Sequence, residues 1–350
     1  MNTVISIIAT IFILTGMLAY FIVSSSNMPV VQVADSTALP QEIVAGSKDD
    51  RNEGEKADEQ KNLALPQVTE INEKKDVTIL FGGDMMFDRY IRQMSDGKGY
   101  DHIMEDLSST LHTADLVVAN LEGPVTENES RSLYSEIGSY DNYIFTFDPA
   151  ILETLKKNKV SLVNIGNNHI GNFGIEGVAD TKRFVKEAYL NYFGDTGTPD
   201  EQRYYVKEIN GQKIAFVNYN AFVQNAVANT LSDIEIVAPD ADHVILYTHW
   251  GEEYVTHSRE HEQMLAHQFI DAGVDLVIGS HPHVVQESEI YKGKTIYYSL
   301  GNFVFDQYFS DETRNGLMVK VNMPANEEQT LVFKEIPITL NATGQTRIKN

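Results

Sequence analysis

The chain has no cysteine. Disulfides, thiolate metal sites, cysteine nucleophiles and a lipid-modified cysteine anchor are therefore excluded, and the composition suits an exported protein that folds without oxidative help. Basic residues are scarce: 27 Lys and Arg stand against 50 Asp and Glu, a formal charge of −23 over 350 residues. A nucleic-acid binder needs a basic surface that releases counterions, so no nucleic acid is expected as a partner. An anionic polymer is also repelled, unless metal ions or a local basic patch reverse the field. Tryptophan occurs once, at Trp250. Apolar residues are not scarce, at 42% with 10% aromatic, which is enough for a core and excludes wholesale disorder.

Long apolar runs are also rare: the one at residues 4–23 has no charged residue. Twenty residues at about 1.5 Å rise match a bilayer core of roughly 30 Å. A cleaved signal peptide is the alternative, with Ser24, Ser25 and Ser26 small enough for cleavage, but its apolar region usually spans only about 7–15 residues. No Lys or Arg precedes Lys48, so charge says little about orientation. Residues 24–75 have no aromatics, few large apolar side chains and mixed charges, a composition that cannot offset ordering entropy. The expected organisation is a cytoplasmic N-terminus at 1–3, a single transmembrane helix at 4–23, a flexible linker at 24–75 and one domain at 76–350. That domain is expected outside the cell membrane.

From Asp76 onward, short β-branched runs alternate with amphipathic segments, the pattern of an α/β fold. Strands are expected at 77–81, 116–119, 160–165, 243–247 and 276–278. Asn210-Gly211 and Lys292-Gly293 read as hairpin turns. Asp148-Pro149 opens a helix whose face is Ile151, Leu152 and Leu155. Further helices are expected at 174–192 and 258–272.

Each of the five expected strands ends in a loop with metal-competent side chains. The loops hold Asp84; Asn120 and Glu122; Asn168 and His169; His249; and His281 and His283. In α/β sheets, ligands sit beyond the carboxyl ends of strands, so these loops can converge. Imidazole, carboxylate and amide oxygen suit Mn, Zn or Fe, one or two ions per chain. Each residue alone has an ordinary explanation: a turn cap for Asp84, an exposed loop acid for Glu122, a hydrogen-bonded core histidine for His249. Recurrence at five strand ends is what chance does not supply. Trp250 could stack on a substrate or pack its loop, and Glu252 and Glu253 could orient ligands or face solvent. Arg89 and Arg92 could grip a carboxylate or phosphate, or pair with surface acids. The tyrosine-rich stretch 134–143 could form a substrate wall or a surface hairpin.

The motifs Gly83-Asp84-Met85-Met86, Asn120-Leu121-Glu122-Gly123-Pro124, Asn167-Asn168-His169, His249-Trp250-Gly251-Glu252-Glu253-Tyr254, Gly279-Ser280-His281-Pro282-His283 and Leu300-Gly301-Asn302-Phe303 occur in this order. Together they resemble the bacterial capsule-synthesis CapA family, the PgsA-type poly-γ-glutamate capsule proteins. That family is similar to calcineurin-like metallophosphoesterases, which implies a four-layer α/β/β/α sandwich. By this resemblance Asp84 is the first metal aspartate, and Glu122 or Asn120 takes the bridging position. Asn168, His249, His281 and His283 complete the metal ligands, and His169 protonates a leaving oxygen. Two departures stand out. Met86 occupies the place of a first-strand histidine, and Asn172 stands where an aspartate is common.

The resemblance implies a membrane-anchored protein acting in synthesis, export or retention of an anionic capsular polymer, alongside other capsule-synthesis membrane proteins, through metal-assisted hydrolysis or transfer. Two alternatives remain open. One is a metallophosphoesterase for another cell-envelope substrate. The other is a non-catalytic, metal-dependent polymer-binding assembly factor, for which a proton donor would be superfluous.

Overall fold

The computed structural model describes residues 73–195, 202–326 and 329–349. The expected cytoplasmic residues 1–3, the expected anchor at 4–23 and residues 24–72 of the expected linker lie outside the described residues. Among the described residues, no helix is long and apolar enough to cross a membrane.

The strands run in chain order as β1 (Val77–Met85), β2 (Leu116–Leu121), β3 (Val160–Asn164), β4 (Asn191–Phe193), β5 (Tyr204–Ile209), β6 (Gln212–Asn220), β7 (His243–His249), β8 (Leu276–Ser280), β9 (Ser288–Tyr291), β10 (Lys294–Tyr297), β11 (Asn302–Val304), β12 (Asn315–Met323), β13 (Val332–Leu340) and β14 (Thr346–Ile348). They form two mixed sheets. One has the order β14-β13-β12-β1-β2-β3-β4, with β11 pairing β1; the other has the order β5-β6-β7-β8-β10-β9. β1 to β4 are mutually parallel, as are β6, β7, β8 and β10. Parallel neighbours require crossovers, and the helices supply most of them.

The sheets pack face to face. Val77, Ile79 and Phe81 of β1 and Leu116 and Val118 of β2 share a core with Phe216 of β6, Ile245 and Tyr247 of β7 and Ile278 of β8. Side chains alternate across a strand, so Leu80, Val117 and Ala119 face the other way. They meet Ile91 of the helix Arg89–Lys98 and Leu152 and Leu155 of the helix Ile151–Lys157. On the far side of the second sheet, Val217, Leu246 and Val277 pack against Ile234 of the helix Ala226–Val237 and Phe269 of the helix Glu260–Asp271. The layers are thus α/β/β/α. With both faces of the central strands covered, their sequences read as continuous apolar runs.

One expected element is shorter. The helix expected at 174–192 spans Gly174–Glu187, and Tyr192 belongs to β4. Tyr189 takes a left-handed φ of 61°, which breaks the helix and lets the chain turn into the sheet.

The pairing of β11 with β1 positions the functional edge. Asp84 lies opposite Asn302 on one side and Asn120 on the other. This close approach needs a glycine at position 83, where a Cβ would lie 1.8 Å from the Gly301 carbonyl oxygen. Gly83→Ala must therefore push β11 off β1. It should cost about 3 kcal/mol, the upper end of ordinary overpacking. Urea unfolding measures it, and a loss under about 1 kcal/mol would mean that the two segments are not tightly held.

Candidate metal centre

Asp84, Asn120, His249 and the loops after β3 and β8 meet at the carboxyl ends of their strands. They come from both sheets, so the site straddles the sandwich. Under it, the Tyr247 hydroxyl donates to the Gly82 carbonyl at 2.6 Å and ties β7 to β1.

Two groups of donors share one residue. Glu122, His249 and His281 form the first, and Asp84, Glu122 and His283 the second; all are buried. The His283 Nε2 lies 3.5 Å and the His249 Nε2 4.0 Å from the same Glu122 oxygen. Of the two candidates for a bridging position, Glu122 is the one the geometry puts between the groups.

Asn120 does something else. Its side-chain nitrogen donates to Asp84 at 2.8 Å, while its oxygen accepts from Asn164 at 2.9 Å and Asn167 at 3.1 Å. With its oxygen taken by two amides, Asn120 braces Asp84 in this arrangement. The Asn168 amide oxygen lies 2.9 Å from the His249 Nε2.

Hydrogen-bond partners surround each imidazole. The His249 Nδ1 lies 3.0 Å from the Ser280 hydroxyl, which donates to the Thr248 carbonyl, and 3.3 Å from the Asn120 nitrogen, while its Nε2 lies 2.9 Å from the Asn168 oxygen. The Asn302 amide nitrogen donates to Gln307 and Thr313, so its oxygen accepts from the His283 Nδ1 at 3.0 Å. The His283 Nε2 is then free toward Glu122. The His281 Nδ1 lies 3.2 Å from the His249 Nε2.

Electrostatics describe a site short of positive charge. Neither Glu122 oxygen has a hydrogen-bond partner among the described residues. Burial, and then Asp84 beside it, push Glu122 well above the ordinary carboxylate range. Burial also opposes ionisation of Asp84, but its interactions with His283, and then with His249 and Asn120, outweigh it and hold Asp84 low. Burial and neighbouring imidazoles push His249 well below its ordinary value and His281 down to about 3. Buried carboxylates without partners are costly unless a cation joins them. The donor set therefore fits a divalent metal, with oxygen and imidazole ligands suited to Mn, Zn or Fe. Met86, in the place of a further histidine, is buried in the outer core, and its sulfur accepts from the Asp88 amide.

His169 lies beside the donors, with its ring 4.4 Å from that of Phe145. Its Nδ1 donates to the Asn172 oxygen at 3.2 Å, and burial lowers its pKa to about 4. Asn172 thus orients the ring without offering the charge that would keep it protonated.

The three substrate-binding candidates are placed differently. Trp250 is fully buried, stacks on Tyr298 and donates to its carbonyl at 2.9 Å, so it packs the loop and is no substrate wall. Glu252 points outward to Arg259 at 3.4 Å; its neighbour Glu253 is the one close enough to raise Glu122 electrostatically. Arg89 is committed to Asp306 and lies over the rings of Phe145 and Phe305. Sequence reasoning assigned no role to Asn164, Ser280 or Asn302. Their signal was weak but present: each is a small polar residue at a strand end, in register with a donor.

The family described as bacterial capsule synthesis protein PGA_cap matches residues 78–307. Over 288 residues the chain is 30% identical to the capsule biosynthesis protein CapA of Bacillus anthracis, covering 77% of this chain and 68% of that protein. Over 286 residues it is 29% identical to the PGA biosynthesis protein CapA of Bacillus subtilis (strain 168), covering 77% and 73%. Among solved structures it is similar to a hypothetical protein from Thermus thermophilus, at a TM-score of 0.50 and 14% identity, over 74% of this chain and 98% of that one. That likeness shows a common fold.

Two results test the site. His281→Ala combined with His283→Ala removes one donor from each group, so bound metal should be lost while the fold persists. Elemental analysis with circular dichroism checks this, and unchanged metal stoichiometry would remove both residues from the site. Protein stripped by a chelator should also lose stability as pH falls below 6.5. His169, His249 and His281 stay neutral in the fold, whereas the unfolded chain protonates them near pH 6.5. Glu122 works in the opposite sense, but three histidines outweigh one carboxyl. Their contribution is complete above pH 6.5 and is lost as pH falls toward about 4 for His169 and about 3 for His281. A urea midpoint that stays level from pH 7 to 5 would contradict neutral buried histidines.

Proposed function

Since the chain belongs to the bacterial capsule synthesis protein family PGA_cap, we propose that it acts in the synthesis, export or retention of a capsular polymer of the poly-γ-glutamate kind, by metal-assisted hydrolysis or transfer at a phosphoester or amide bond. The observation that carries the reading is Glu122, a buried carboxylate without a hydrogen-bond partner among the described residues, shared by two donor groups. A divalent ion held there activates water and stabilises a developing oxyanion.

The chain's own residues do the rest. Asp84 is kept ionised by His283 and held in place by Asn120. His169, oriented by Asn172, faces the same space as a neutral imidazole. An anionic substrate group beside it favours the protonated ring, so substrate binding itself charges the proton donor. The mouth carries few free cations, since Arg89 is committed to Asp306. It carries apolar surface instead: among the described residues, the two exposed phenylalanines, Phe222 and Phe309, are both near it. A polymer with an apolar backbone face and anionic groups for the metal suits such a mouth. The protein is proposed to sit in the cell membrane through residues 4–23, with residues 76–350 outside, in reach of other capsule-synthesis membrane proteins.

Met86 and the low pKa of His169 favour a second reading, a metal-dependent polymer-binding assembly factor without turnover. The deciding experiment uses the full chain loaded with Mn²⁺, assayed on bis(p-nitrophenyl) phosphate and on poly-γ-glutamate. General acid catalysis contributes about 10²–10⁴-fold, so His169→Asn should lower turnover by that order with metal content intact. Asp84→Ala should lose both. Full turnover by His169→Asn would end the proton-donor assignment. No turnover by any form, with polymer retention dependent on Asp84 and metal, would favour the second reading.

A further inference from the structure

After β7 the chain turns sharply through Gly251, at φ 90°, to Tyr254, at φ 65°. A left-handed backbone is uncommon for an aromatic residue and is sustained only when its surroundings enforce it. Here the Tyr254 amide donates to the Pro282 carbonyl at 2.8 Å, and Pro282 is the residue between His281 and His283. The turn is thereby clamped to the metal centre. The Tyr254 ring ends 6.2 Å from that of His283, with Phe309 edge-on at 5.3 Å.

The phenol oxygen is held as firmly as the backbone. The His283 Nδ1 donates to the Asn302 oxygen at 3.0 Å, the Asn302 nitrogen donates to the Gln307 oxygen at 3.0 Å, and the Gln307 nitrogen donates to the Tyr254 hydroxyl at 3.2 Å. Asn302 and Gln307 are buried. Every donation in this chain runs outward from the imidazole to the phenol. The Tyr254 oxygen is used as an acceptor, and its own O–H, beside the Glu253 carboxylate, is the terminal donor that an oxyanion would compete for. The ring is partly exposed there, so a ligand can reach it. A preorganised donor beside a site where negative charge develops is the arrangement that stabilises oxyanions.

We propose that Tyr254 is a catalytic residue of this centre, donating a hydrogen bond from its hydroxyl to an oxyanion of the bound substrate. This rests on the reading of the site as a divalent-metal centre for an anionic group. Burial, and then the Glu253 carboxylate beside it, push the phenol above the ordinary tyrosine range, so it keeps its proton at working pH. With Arg89 committed elsewhere, Tyr254 supplies what a cationic side chain supplies in other anion sites, without attracting unrelated anions over distance.

The test uses the full chain loaded with Mn²⁺ and inorganic phosphate as the probe. Tyr254→Phe keeps the ring and removes the hydroxyl. A hydrogen bond to a charged group is worth about 10–100-fold in affinity, so calorimetry should show phosphate binding weakened by about that factor. Mn²⁺ affinity and melting temperature should stay as in the parent. Gln307→Met, which keeps the phenol but frees it, should weaken phosphate binding less. Where the ester substrate is turned over, kcat/KM should fall by a similar factor. Equal phosphate affinity in parent and Tyr254→Phe would overturn this proposal and leave the metal-centre reading standing. Loss of Mn²⁺ affinity or a lowered melting temperature in Tyr254→Phe, in step with phosphate, would also overturn it, because the role would then be structural. A parent that binds Mn²⁺ but no phosphate would overturn both.

Discussion

Everything at the functional edge depends on two buried carboxylates, Asp84 and Glu122, set side by side. Glu122 is a carboxylate enclosed by Asp84 and three imidazoles, with neither oxygen hydrogen-bonded among the described residues. Such a group is costly in a folded protein unless a cation offsets it. The surrounding structure is arranged to keep that position open. Asn302 takes up the His283 Nδ1 proton on the outer side, so the His283 Nε2 lone pair turns inward, and Ser280 and Asn120 flank the His249 Nδ1. Asn120 pins Asp84 from behind, and Asn164 and Asn167 pin Asn120. Remove the requirement for a cation and these contacts have no common purpose.

The sandwich makes this possible because its strands are covered on both faces. Parallel strands deliver their carboxyl ends to one edge, and two sheets packed face to face deliver two such edges together. Asp84 and Glu122 come from one sheet and His249, His281 and His283 from the other. Glycines keep the seam narrow: Gly83 admits the Gly301 carbonyl, and the Tyr247 hydroxyl reaches the Gly82 carbonyl across it. A rigid seam suits ligands that must meet within a few tenths of an ångström.

Two departures from the expected motif pattern also have physical consequences. Met86 removes one imidazole and adds one thioether to the outer core, so a single side chain exchanges site chemistry for packing. Asn172 orients His169 without charging it, which leaves that ring neutral until an anion arrives. Neither change supplies a cation to a mouth already short of them. The exposed rings near it are apolar and phenolic, those of Phe222, Phe309 and Tyr254.

The layer type was implied only by the family resemblance of the ordered motifs, whereas periodicity marked the α/β class, most strand positions and the metal-competent residues at strand ends. These are local properties: an apolar run bounded by glycine and a polar strand end is legible wherever it occurs. Division of labour within the set was not local. Asn120 and Asn168 are both amides at strand ends, yet one supports Asp84 and the other faces the His249 Nε2, because they stand at different depths in the seam. Trp250 adjoins His249 in the chain but points to the opposite face of the sheet, as strand alternation requires. Glu252 and Glu253 are neighbours, and the turn at Gly251 sends only the second toward Glu122. The path from His283 through Asn302 and Gln307 to Tyr254 joins residues from three separate segments. Its direction is set by which amide atom faces which, and only the packed tertiary structure decides that.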